Sequence, residues 1–456
     1  MVERSPAHRT GSVEVEQERI RLGFVPLTDC APLVIARERG FFREEGLDVT
    51  LSREPSWANV RDKLAVGELD GAQLLAPMSL STSLGIDGVD VPLIVPMSLD
   101  LNGNAITVSR ALGERLERTV RGTGPGPAAV VAAGAIAAGL RELIEEDRRK
   151  GLPPLMLAVV FPFSSHGYIL RYWLASAGID PDHDVRIVVA PPPAMVAMLE
   201  QGSIDGYCVG EPWNSLAWAK GIGRIVATSF DVWPCGPEKV LALRRAWAES
   251  HPATVRAIGR ALMRACRWLD DLTNREQAVH VIAGLSFVDA PVDVVARSMS
   301  GRIGGADGGS RELPAMHVFF RHAATFPWRS QAAWFVAQMI RWGQIEKLPD
   351  LEGIIDSVYR PDLHREIAAE LQFAAPTVDW KIEGQHDAPW TLEQATEPIP
   401  MSADRFLDER LFDPRDLRGY LDRFEIASMR VDRDEIPVGI GVRGCWETTD
   451  PTAGRS

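Results

Sequence analysis

The chain writes one short pattern twice. "GELDGAQLLAP" runs from Gly67 to Pro77, and "GSIDGYCVGEP" runs from Gly202 to Pro212. The leading glycine, the Asp-Gly pair and the final proline fall in step without a gap, with Leu69 opposite Ile204. Each copy reads as a helix end, a turn, an apolar strand and a stop. Their surroundings repeat as well. Upstream of the first copy lie a strand, "RIRLGFVPL", and a helix, "TDCAPLVIARERGFFREEG", which Thr28 or Asp29 can cap and Gly40 ends. A second strand, "LDVTLSR", and a second helix, "SWANVRDKLAVG", capped by Ser56, complete the set. Upstream of the second copy lie "LMLAVVFP", "SSHGYILRYWLASAG" with Ser164 or Ser165 as cap, "DVRIVVAP" and "PPAMVAMLEQG". Two βαβαβ units predict two α/β lobes around a cleft, and ligands in such sheets sit beyond the carboxyl ends of the strands.

This reading divides the 456 residues into five parts. Residues 1–17 are expected to be a disordered arm, 18–104 the first segment of lobe 1, and 105–222 lobe 2. Residues 223–345 are expected to return to lobe 1 and add helices, and 346–456 to form a helical and extended tail that wraps the body. "GRIVATSFDVWP" is assigned to lobe 1 on its return, and "GRIGGADGGS" reads as a flexible loop.

The groups expected at the cleft are mostly neutral donors. Ser56 and Trp57 stand at one helix N-terminus, and Ser164, Ser165 and His166 at another. Asn102 and Asn104 lie in the turn-like crossover "LNGNAI". Gly210 and Glu211 end the second copy of the repeat, and Lys239 precedes a strand in "CGPEKVLAL". Helix N-termini offer unpaired N–H groups and a positive dipole end. With one ammonium added, the set suits a small monovalent oxyanion. Taken singly, each residue also has an ordinary role: the serines as caps, Trp57 in packing, His166 in the core.

Other classes fit less well. There are 49 basic and 62 acidic residues, a net charge of −13, which opposes a phosphate-binding face and suits a protein partner better than RNA. No G-x-S-x-G, H-E-x-x-H or P-loop is present, so neither enzyme chemistry nor a cofactor is expected. The five cysteines, Cys30, Cys208, Cys235, Cys266 and Cys445, form no C-x-x-C pair, so no metal site is expected and reduced cytosolic thiols are. The first residues, "MVERSPAHRTGSVEVEQERIRLGF", lack the apolar region of a secretory signal. A cytoplasmic location is expected, or a periplasmic one if a signal segment has been removed.

At these same residues the chain resembles the nitrate- and bicarbonate-binding proteins of bacterial ABC transporters, together with their cytoplasmic relatives, the nitrate/nitrite sensors of the NasS type. The resemblance rests on "GFVPLTDCAPLVIARERGFF", "SWANVRDKLAVG", "DGAQLLAPM", "LNGNAITV", "FPFSSHGYILRYWLASAG", "PPPAMVAMLEQGSIDGYCVGEPWN", "GPEKVLALRRAWAESHP" and "WFVAQMIRWGQI", covering about residues 18–345. "RFLDERLFDPRDLRGYLDRFEI" is similar to the family's closing segment. The resemblance implies a type II periplasmic-binding-protein fold. It also implies an anion held by Trp57, His166, the backbone at Gly210, and Lys239. The family's glutamine position falls on Asn104, one methylene shorter, so the contact expected there runs through water. Ser56, Asn102, Ser165 and Glu211 stand around these five. Bicarbonate-binding members carry an acidic residue at the Lys239 position and use calcium, so lysine favours nitrate or nitrite. Because no signal segment is seen, the preferred role is a cytoplasmic sensor that restrains an antiterminator regulator. The alternative is the binding component of an ABC importer, with a permease as partner. A thiamine-precursor synthase shares the broad fold, but its cysteine-rich iron-binding segment has no counterpart here.

Overall fold

Short runs rich in leucine and β-branched residues become eleven strands in two sheets and the crossover between them. They are β1 (Arg19–Phe24), β2 (Asp48–Arg53), β3 (Gly71–Leu75), β4 (Leu93–Ser98), β5 (Leu101–Asn102), β6 (Asn104–Ser109), β7 (Met156–Val159), β8 (Arg186–Val189), β9 (Gly206–Gly210), β10 (Gly223–Thr228) and β11 (Lys239–Arg244). The computed structural model describes residues 14–121, 132–441 and 446. One sheet has the order β2-β1-β3-β11-β4 and the other β10-β6-β9-β7-β8. In each, a parallel trio accepts one antiparallel strand beside its third member: β11 beside β3, and β6 beside β9. Read from the β8 edge, the second sheet repeats the first. Each antiparallel strand is the one that has just crossed from the other lobe. Two lobes of one topology, exchanged by two crossovers, make the type II periplasmic-binding-protein architecture.

The repeated stretches contain β3 and β9, the equivalent strands of the two lobes. The Asp-Gly pair recurs because it performs one task twice. Asp70 exchanges two hydrogen bonds with Arg21 on β1: the Asp70 N–H donates to the Arg21 carbonyl at 2.9 Å, and its carboxylate accepts from the Arg21 N–H at 2.8 Å. Asp205 does the same to Met156 on β7, at 2.7 and 2.8 Å. The glycine that follows lets the neighbouring strand approach. A Cβ on Gly206 would lie 2.8 Å from the Thr107 carbonyl oxygen, and one on Gly71 would lie 2.5 Å from a Leu243 methyl.

Three expectations change. β10 does not return to lobe 1. It pairs antiparallel with β6 and completes the second sheet at its edge, so lobe 2 extends to Thr228 and the return begins with β11. A β-branched run has no lobe address of its own, and only the sheet's need for a fifth strand supplies one. The glycine-rich stretch is a hairpin, Arg302–Gly304 against Ser310–Glu312, anchored by buried Ile303. Of the expected disordered arm, residues 1–13 lie outside the described residues. Beyond them, the Glu16 carboxylate accepts hydrogen bonds from the N–H groups of Ala253 and Thr254 at the start of helix Pro252–Leu269, at 2.9 and 2.8 Å.

The helix that precedes the tail spans both lobes. Helix Arg329–Arg341 packs on Ala76–Ser83 of lobe 1 and on Ser165–Ser176 of lobe 2. Its Trp334 meets Tyr172, Trp233 and Phe406, and the Tyr172 hydroxyl donates to Asp408 at 2.7 Å. Cys30, Cys208, Cys235 and Cys266 are buried free thiols, and Cys445 lies outside the described residues. Among the described residues, no helix is long and apolar enough to cross a membrane.

Candidate functional site

The matching topologies explain where the cleft gets its side chains. Lys239 and Asn104 are the first residues of the two crossing strands, β11 and β6. Each stands opposite the last residue of its neighbour: Lys239 beside Leu75 and Asn104 beside Gly210. Both positions therefore lie at the carboxyl ends of the parallel strands, facing the gap between the lobes. Two helix starts add the rest. Ser56 caps helix Trp57–Val66 by accepting from the Asn59 N–H, which fixes Trp57 as the first helical residue. Ser164 caps helix Ser165–Ser176 by accepting from the Gly167 N–H at 2.9 Å, which fixes His166 in the first turn.

These residues converge. Trp57, Asn104, His166 and Lys239 are each 0% exposed, and Gly210 is buried between them. The Lys239 ammonium lies 5.3 Å from the centre of the Trp57 ring. The Asn104 amide donates to Glu238 Oε2 at 2.5 Å, and His166 Nδ1 lies 3.3 Å from Glu238 Oε1. A Cβ on Gly210 would sit 3.2 Å from Leu27 Cδ2 and 3.4 Å from both Asn104 Oδ1 and Asp29 Oδ2, so the bare backbone leaves a methyl-sized gap there. Among the described residues, Trp57 Nε1, Asn104 Oδ1, Ser165 Oγ and both ring nitrogens of His166 are buried without a hydrogen-bond partner. Orphaned buried polar atoms carry a cost that a bound ligand removes.

The one ammonium expected at the cleft is already paired within the protein. Lys239 Nζ pairs with Asp29 Oδ2 at 2.8 Å and with its own neighbour Glu238. Gln73 of β3 donates to the other oxygen of Asp29 at 2.6 Å, and Asp100 accepts from the Lys239 N–H at 3.2 Å. Burial alone would weaken the ammonium, but Asp29, Glu238 and Asp100 outweigh it and hold Lys239 above its ordinary value. Burial raises Asp29 against the pull of Lys239, and raises Asp100 much further. Burial, then the Lys239 charge, drives His166 well below the usual imidazole range, so its ring is neutral. The site thus has neutral donors, one ammonium, and carboxylates that share it.

The surrounding residues divide by task. Asn102, at φ 67°, ties the crossovers together by donating to the carbonyls of Pro234 and Ala315 at 2.8 and 2.9 Å. Glu211 joins the lobes through its backbone: its carbonyl accepts from the Thr28 N–H at 2.8 Å and the Thr28 hydroxyl at 3.1 Å. The Glu211 carboxyl is sealed in, and burial lifts it to about 7. Ser56 points to its own helix rather than to the cleft.

Asp29, Gln73, Asp100 and Glu238 were not foreseen. Asp29 reads as a helix cap in sequence, yet helix Ala31–Glu38 has Cys30 at its cap position and Asp29 turns to Lys239. Glu238 adjoins Lys239 in "PEK", and that adjacency was its one local signal.

The model of the NMT1-like family matches residues 14–283. The chain belongs to the NMT1-like family. It is 31% identical to the nitrate/nitrite binding protein NrtA of Synechococcus elongatus, over 93% of this chain and 90% of that one. It is 32% identical to the bicarbonate-binding protein CmpA of the same organism, over 81% and 82%. It is 36% identical to the nitrate import ATP-binding protein NrtC of Synechocystis, where the match covers 92% of this chain but only 57% of the relative. The chain therefore spans little more than half of that relative. The crystal structure of the periplasmic nitrate-binding protein NrtA from Synechocystis superposes with a TM-score of 0.78 at 28% identity, covering 90% of this chain and all of the other.

Proposed function

We propose that the cleft binds a small monovalent oxyanion, nitrate or nitrite first and bicarbonate second, for an ABC importer. The observation that carries this reading is the buried cluster of Trp57, Asn104, His166, Gly210 and Lys239, with the indole nitrogen and His166 Nε2 without a partner. These side chains form no nucleophile–base pair with one another, and Lys239 is held protonated by its carboxylates. Binding is what such a set performs. The nitrate/nitrite binding of NrtA and the bicarbonate binding of CmpA support the ligand class, and the likeness to the nitrate import ATP-binding protein NrtC favours an ABC permease as partner over an antiterminator. A place outside the cytoplasm belongs to the same reading.

The test is a thermal-shift and calorimetric titration of the purified chain with sodium nitrate, nitrite, bicarbonate and sulfate. Saturable binding of one of the monovalent anions is expected. At about 100 times Kd, a ligand that binds only the folded state adds about 2.7 kcal/mol of stability. Absence of any effect from all three monovalent anions would overturn the ligand class. Recovery of the native protein from the cytoplasmic fraction, with no association with a permease, would overturn the transport role.

A further inference from the structure

We infer that each oxyanion enters the closed cleft together with one proton, and that Asp29 carries that proton. This rests on the oxyanion reading above and concerns how the same site regulates uptake. Lys239 already satisfies two carboxylates, Asp29 and Glu238, and Asp100 lies behind it. All four are buried, and none is more than 2% exposed. A further anion placed there would leave the ammonium facing more negative charge than it can balance, with no water to screen the excess. One carboxyl must then become neutral.

The geometry selects Asp29, because Asp100 faces the Lys239 backbone N–H and His317 Nδ1, at 3.2 and 3.5 Å, rather than the space at Gly210. Glu238 faces three groups: Lys239, the Asn104 amide and the edge of His166. Asp29 has only Lys239 on one oxygen and the Gln73 amide on the other. Its Lys239-facing oxygen is also the one beside the gap at Gly210. Protonated, that oxygen turns from an acceptor into a donor aimed where the anion would lie. The other groups around it do not relieve the charge. Cys30, next in the chain, is a buried thiol held neutral, first by burial and then by Asp29 itself. His166 and His317 are buried imidazoles kept neutral first by burial. Glu211, across the lobe boundary, is a fourth acid. The raised position of Asp29 agrees in direction.

With Asp29 paired as a carboxylate to the Lys239 ammonium before the anion arrives, binding takes up a proton. Calorimetry of the full chain with sodium nitrate at pH 8, in two buffers of different ionisation enthalpy, reads this directly. That pH lies above the titration of Glu211. The expected result is uptake of about one proton per anion, with Kd rising about tenfold per pH unit from 7 to 9. In Asp29→Asn, which keeps the shape, both the uptake and the slope are expected to vanish. Binding with the same heat in both buffers and a flat Kd overturns the inference while leaving the oxyanion reading intact. Uptake that survives in Asp29→Asn overturns the assignment to Asp29. If nitrate, nitrite and bicarbonate all fail to bind at pH 6 as well, the oxyanion reading falls and this inference with it.

Discussion

Lys239 has two duties that a single substitution would confound. It faces the space proposed for the anion, and it balances Asp29 and Glu238 inside the protein. Lys239→Ala is therefore expected to abolish nitrate binding and also to cost about 3–5 kcal/mol of folding stability, because it strands buried carboxylates. Urea denaturation of the variant checks the second effect, and a midpoint equal to wild type would show that the pair is not coupled as described. Trp57 gives a cleaner probe. Its indole N–H is orphaned and its ring lies against the ammonium, so nitrate is expected to change its emission and sulfate to leave it unchanged. The other twelve of the 13 tryptophans dilute the signal, and Trp57→Phe should remove the nitrate response altogether.

Among the elements, β3 and β9 do equivalent work with unequal tolerance. A methyl group at Gly206 would meet the backbone oxygen of Thr107, whereas one at Gly71 would meet the end of the Leu243 side chain. Backbone in a paired strand cannot yield as a leucine can. Gly206→Ala is expected to destabilise by about 1–3 kcal/mol, and Gly71→Ala by less. Thermal melts of the two variants side by side decide this, and equal losses would show that β3 and β9 are equally constrained. The same contrast explains the different ends of the two copies. "LLAP" runs straight into helix Ala76–Ser83, while "VGEP" leaves Gly210 bare at the cleft and uses the Glu211 carbonyl to join the lobes.

For the whole molecule, closure places Glu211 where its carboxyl is favoured in the neutral form. Its folded value of about 7 stands above the ordinary 4.5. The stabilisation it gives is complete below 4.5 and is lost as pH rises through about 7. The difference is on the order of 3 kcal/mol. Melting temperature should therefore fall between pH 5 and 7.5, and Glu211→Gln should flatten that fall. An unchanged profile in the variant would assign the pH dependence to other groups. Helix Arg329–Arg341 acts at this scale too, since it touches both lobes.

The sequence by itself determined the two-lobed α/β plan, because period-2 and helical patterns, glycine stops and serine caps are local and were written twice. It also carried the five residues that meet at the cleft, through stretches similar to a known family. Tertiary structure alone decided the rest. The lobe that β10 joins depends on which sheet lacks an edge strand, and nothing within Gly223–Thr228 records that. The state of Lys239 depends on Asp29, far away in the chain, and on Glu238 turning to the same point. Charge balance in a buried site is a sum over groups brought together by folding, and no single stretch of sequence contains that sum.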